Sequence, residues 1–173
     1  MTNRGYTLIE LSIVVLLIGM MLLIAVPRVR DTLLDDDLKA VTRRFISSAR
    51  ELRYQSVREQ TDYILHIDLA NPAFWVYPAD TTPEKQLDLR KAAFRFPEGV
   101  RIADARQSDD VKKTEGEVIV HFYRRGYVEP TVVHLVKDDR VFTLVFNPFI
   151  QAMTVYEKYV DFSFSGVERA SGL

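Results

Sequence analysis

Between Leu11 and Val26 the chain carries no charged residue. At about 1.5 Å per helical residue the run from Tyr6 onward reaches about 30 Å, the thickness of a bilayer's hydrocarbon core. The sequence therefore predicts a membrane helix over 6–27. A cleaved secretory signal would have a shorter apolar core followed by small residues at a cut site. Here the run closes on Val26-Pro27-Arg28 instead. A simple uncleaved anchor remains as a competitor, and Glu10 argues against it. A lone acid inside a membrane helix costs about 2.5–3.5 kcal/mol, so it needs a partner and a purpose. If the chain is cut after Gly5, Tyr6 acquires a free α-amino group that could meet Glu10 of a neighbouring copy in a low-dielectric setting. Alternatively Glu10 pairs within its own helix, since Tyr6 and Glu10 are four apart on one face.

Past Pro27 the helical pattern continues. Leu34, Leu38, Val41, Phe45, Ala49, Leu52 and Ser56 recur at spacings of three and four, which predicts an amphipathic helix over 28–60. Arg43, Arg44, Arg50, Arg53 and Arg58 fall off that stripe and read as a solvated face. Asp35-Asp36-Asp37 punctuates the helix, because aspartate favours a helix start over an interior. After Gln60 the period changes to alternation. Tyr63–Asp68 and 74–77 read as a hairpin turned by Asn71-Pro72. The stretch 78–88 reads as a loop, 93–96 and 100–102 as short strands, and 104–116 as a charged, mobile segment. Strands at 117–123, 131–136, 141–146, 152–156 and 159–164 come next, and 165–173 reads as a tail. The expected fold class is α+β: a long N-terminal helix, with a transmembrane half and an amphipathic half, packed on an antiparallel β domain (61–164) of about eight strands.

Gly5-Tyr6-Thr7-Leu8-Ile9-Glu10, the apolar run and Pro27 resemble the processing site and N-terminal helix of type IV pilins and of the pseudopilins of type II secretion. Tyr6 stands where that family usually has phenylalanine. The resemblance implies that residues 1–5 are a leader removed by a prepilin peptidase after Gly5 and that the new amino group of Tyr6 is methylated. It also implies that Glu10 and Pro27 belong to an assembly helix. The run 49–57, leading into 63–68 and the aromatic strand at Trp75, resembles the helix-to-hairpin region of H-type minor pseudopilins and of the related T-type and U-type minor pilins. Phe122-Tyr123-Arg124-Arg125-Gly126 looks like the strand-turn of that group, although a proline or an acid is common where Arg124 and Arg125 stand.

The function implied by this resemblance is that of a minor pseudopilin, a structural subunit that helps to export folded proteins across the outer membrane. Its partners would be other pseudopilins, the prepilin peptidase and an inner-membrane assembly platform. It would be a single-pass inner-membrane protein with its C-terminal domain in the periplasm, extracted into the pseudopilus. Charge alone leans the other way, since Arg28, Arg30 and Lys39 after the run outweigh Arg4 before it. The alternatives are a minor type IV pilin acting in assembly, adhesion or DNA uptake, and a membrane-anchored binding domain that does not polymerise.

Signals for catalysis are absent from the sequence, and the expectation is a non-enzyme. The three histidines, His66, His121 and His134, sit on alternating strands beside apolar residues and read as packed or surface imidazoles. There is no HExxH, GxSxG or glycine-rich phosphate loop. Asp109-Asp110 and Asp138-Asp139 fall at turns and lack the further oxygens a calcium site needs. No cofactor, metal or small-molecule substrate is expected. A net charge of −1 removes the electrostatic argument for nucleic acid, and zero cysteines exclude disulfides and thiolate metal sites.

Overall fold

The computed structural model describes residues 8–108, 111–148, 153–162 and 164, with the backbone alone at 24–36. The chain divides into two compact units, Met1–Asp36 and Asp37–Leu173, and the division falls inside the Asp35-Asp36-Asp37 triplet. Helix α1 (Leu8–Glu59) contributes residues to both.

In the first unit every described side chain, at 8–23, is exposed. The expected transmembrane half is corrected here, and with it the single-pass inner-membrane localisation with a periplasmic domain. Among the described residues no helix is long and apolar enough to cross a membrane. The described stretch at 8–23 carries an acid, Glu10, whose charge works against burial in hydrocarbon.

In the second unit the fold differs from a single β domain of about eight strands: among the described residues nine strands form two antiparallel sheets, and a second helix lies between strands. The strands are β1 (Tyr63–Asp68), β2 (Ala73–Pro78), β3 (Phe94–Arg95), β4 (Arg101–Gln107), β5 (Lys112–Lys113), β6 (Glu117–Phe122), β7 (Thr131–Lys137), β8 (Arg140–Phe146) and β9 (Thr154–Tyr156), with α2 (Pro83–Lys91) between β2 and β3. One sheet runs β3-β2-β1-β6 and the other β5-β4-β7-β8-β9. The α1 stripe at Leu38, Val41, Phe45, Ala49 and Leu52 is buried and joins a single core cluster with inward residues of both sheets, such as Leu65, Ile67, Val118, Val120, Leu135 and Leu144. Phe45 is the centre of this contact. Its ring lies 4.4 Å from that of Phe74 and 5.9 Å from that of Phe96. Lys137 Nζ donates to Asp37 Oδ2 at 2.6 Å, tying β7 to the first residue of α1 in this unit.

Local chemistry accounts for the hairpins. The Asp68 carboxylate accepts the N–H groups of Ala70 (3.0 Å) and Asn71 (2.9 Å), closing the turn from β1 to β2. Burial works against that charge, but the N–H donors and Arg90 prevail and hold the carboxyl below the usual range. Between β7 and β8, Lys137 pairs with Arg140, leaving the two-residue loop Asp138-Asp139, in which Asp138 has φ of 50°. Such loops match the twist of their strands when the central residues take positive φ, a conformation aspartate tolerates.

The segment 78–88, expected as a loop, contains α2. Thr82-Pro83-Glu84 carries the start signals, with proline in the first turn and an acid beside it, and Arg90 and Lys91 close the helix. No α2 residue is buried, so no apolar stripe announces it. Arg90 secures it, reaching Asp68 (3.2 Å) and Glu117 (3.1 Å) while lying over the Trp75 ring. Part of the stretch expected to be mobile forms the ends of the β4–β5 pair. The tail at 165–173 lies outside the described residues.

The end of α1 is fastened to β1 by the Tyr63 hydroxyl, which donates to Glu59 Oε2 at 2.5 Å. That bond, aided by burial, pushes the Tyr63 pKa up to about 12. An unfolded tyrosine releases its proton near pH 10. The stabilisation is therefore full below about pH 10 and is lost as pH rises towards about 12. Thermal melts across this range should decline less steeply for Tyr63→Phe than for the parent. Equal slopes would assign the decline to the other tyrosines.

Candidate assembly site

Gly5 and Tyr6, the expected processing residues, lie outside the described residues. Glu10 occupies the first turn of α1 with an exposed side chain. Carboxylates are favoured there because the helix dipole places partial positive charge at that end. Pro27 lies within α1, and only its backbone is described. The structure therefore describes one of the four named side chains.

Around Glu10 the surface is apolar on all sides of the helix. Leu8 is 85% exposed and Leu23 79%, and Ile9, Leu11, Ile13, Val15, Leu16 and Met20 are also exposed. Gly19 opens a further gap, since a Cβ built there would meet nothing within 4 Å. Ser12, the other polar side chain in the stretch, turns its hydroxyl back to donate to the Leu8 carbonyl at 2.9 Å. A helix that is apolar all round is stable only when something covers it.

A second feature was not legible in the sequence. On the face of the β4–β7–β8 sheet away from the core cluster, Asp104, His134 and Thr143 stand opposite one another on consecutive strands, all buried. A β-bulge between Ile102 and Asp104 makes this possible. The extra residue, Ala103, shifts the alternation, so that Ile102 and Ala105 face the core while Asp104 faces His134. His134 Nδ1 lies 2.7 Å from Asp104 Oδ1, and Nε2 lies 3.0 Å from the Val160 carbonyl. Both ring nitrogens therefore face an acceptor.

The segment 158–162, most of it within the strand expected at 159–164, instead crosses this row as a strap. Thr143 Oγ1 donates to the Lys158 carbonyl at 2.7 Å and accepts the Val160 N–H at 3.0 Å. Arg106 donates to the Phe162 carbonyl and pairs with Asp161. Tyr159 stacks on the His134 ring at 4.0 Å. Lys112 donates to the Tyr159 hydroxyl at 3.0 Å and lies 3.1 Å from Asp104 Oδ2; these two contacts, in that order, raise its pKa.

A buried His–Asp pair suggests general-base chemistry, but here the second ring nitrogen meets a backbone carbonyl instead of a nucleophile. The pair works as a clasp for the strap. His66 is likewise enclosed, stacked on Trp75 at 4.2 Å, with Glu117 at one nitrogen and the Tyr77 hydroxyl at the other. Among the described residues no group of three or more His, Cys, Asp or Glu could hold a metal ion.

Compared with protein-family models, with curated proteins and with solved structures, the chain matches none.

Proposed function

We propose that the chain is a non-catalytic filament subunit of the minor pseudopilin class, processed after Gly5 and methylated at Tyr6. The observation that carries the reading is the exposed apolar surface at 8–23 with one carboxylate, Glu10, in its first turn. Copies or paralogues packed side by side would bury that surface in one another. The α-amino group of a processed neighbour would be the cation that meets Glu10, which explains why an otherwise apolar stretch keeps an acid. In this reading the β sheets of the second unit supply contacts, other pseudopilins, the prepilin peptidase and an assembly platform are the partners, and export of folded proteins is the output. Motive force would come from elsewhere.

The test is intact mass and N-terminal sequencing of the protein recovered from its own host. The expected chain begins at methylated Tyr6. A chain that still begins at Met1, in cells with an active prepilin peptidase, would overturn the reading.

A further inference from the structure

The second half of α1 carries a surface of unusual make-up. A groove of about 430 Å³ runs along Arg50, Arg53, Tyr54, Val57 and Arg58. Its floor is apolar and open, with Tyr54 59% and Val57 45% exposed. The turn at 124–126 lies against it, since a Cβ built on Gly126 would come within 3.3 Å of Val57 Cγ2. That turn carries the exposed Arg124 and Arg125, and Tyr127 beyond it stacks on Tyr123 at 4.4 Å. The rim cations are all arginines. Arginine and tyrosine around an apolar centre are the residues enriched where proteins bind proteins, and the guanidinium fork matches a carboxylate. Acids lie nearby, but several are engaged: Glu51 accepts from Gln55, Glu59 from Arg58 and Tyr63, and Asp62 from the Arg124 N–H.

The chain itself holds the complement. Its net charge is only −1, yet positions 37–59 of α1 carry six basic residues against three acids, while 31–37 carry four aspartates and no base. That acidic stretch, Asp31-Thr32-Leu33-Leu34-Asp35-Asp36-Asp37, also contains two leucines. It is helical in backbone, so positions 31, 34 and 35 share one face. By sequence, its acids and leucines complement a groove of guanidinium groups over a tyrosine and a valine.

We infer that the Arg50–Arg58 groove is a subunit contact that receives the acidic stretch 31–37 of a second copy of this chain. The inference rests on the filament reading and adds a specific contact to it. Arg50 supplies the charge contact, Arg58 stays paired with Glu59 over the Tyr54 ring, and Tyr54 and Val57 take the leucine.

The absence of native cysteines makes a clean test possible. Full chains carrying Leu34→Cys are co-expressed with differently tagged full chains carrying Val57→Cys, then oxidised, and the disulfide-linked product is identified by mass. The expected result is a mixed dimer joined through positions 34 and 57. Arg50→Glu in the Val57→Cys copy should lower its yield roughly fivefold, and Asp35→Arg in the other copy should restore it. Filament formation, monitored by sedimentation and microscopy, and its loss in Glu10→Ala are read in parallel. Filaments that depend on Glu10 but yield no 34–57 product, or a yield indifferent to Arg50→Glu, would overturn the groove contact and leave the filament reading standing. Absence of both product and filaments would overturn the two together. Unchanged circular dichroism of each variant confirms that the fold is kept.

Discussion

Replacing Asp104 with alanine is expected to destabilise the second unit by about 2–3 kcal/mol in urea denaturation, the cost of leaving a buried polar group without its hydrogen-bond partner. The stranded group is the His134 ring, buried on its face of the sheet with Tyr159 stacked over it. Lys112 loses the same carboxylate but is half exposed and turns to water, so its share is small. Asp104→Asn keeps an acceptor in place and should cost about half as much. The clasp also predicts a local effect: with His134 loosened, the strap should open and trypsin should cleave after the exposed Lys158 faster than in the parent. A loss below about 1 kcal/mol with unchanged proteolysis would mean that the strap is held by Thr143 and Arg106 alone.

Phe45→Ala should cost more, about 3–5 kcal/mol, by a different mechanism. Phe45 is fully buried and its ring packs against Phe74 of one sheet and Phe96 beside it. Truncation removes apolar burial and leaves a cavity that the surrounding helix and strands cannot close. Phe45→Leu retains most of the volume and should cost under about 2 kcal/mol. Equal losses for the two variants would show that ring geometry, and not volume, holds α1 in this unit. The urea midpoint, with an unchanged slope, is the measurement that separates a stability change from a change in the unfolded chain.

Periodicity made the α1 stripe legible. Leu38, Val41, Phe45, Ala49 and Leu52 are buried at the three-and-four spacing at which they occur in the chain. The same holds for β1, whose alternating Tyr63, Leu65 and Ile67 point inward, and for the tight loop at Asp138-Asp139. Each is a local property: a repeat of 3.6 or 2 states which side of an element is apolar, and short polar residues state where the chain can turn. Helix α2 was missed because it buries nothing, so only its terminal residues signal it. The candidate assembly residues rested on resemblance as much as on physics. Of them the described side chains include Glu10 alone.

By itself, then, the sequence determined the apolar run with one acid, the amphipathic stripe beyond it and a β-rich remainder, because all three are written in the spacing of neighbouring residues. The tertiary structure alone decided that the strands split into two sheets, that a one-residue bulge turns Asp104 towards His134, and that residues 158–162 cross the sheet as a strap. It also decided that the turn at Arg124-Arg125-Gly126 comes to lie on Val57. Asp104 and His134 are 30 residues apart, and Gly126 is further still from Val57. Nothing in a local pattern reports which distant partner a side chain will meet. That choice is made when the whole core closes and each buried polar group must find its hydrogen bond.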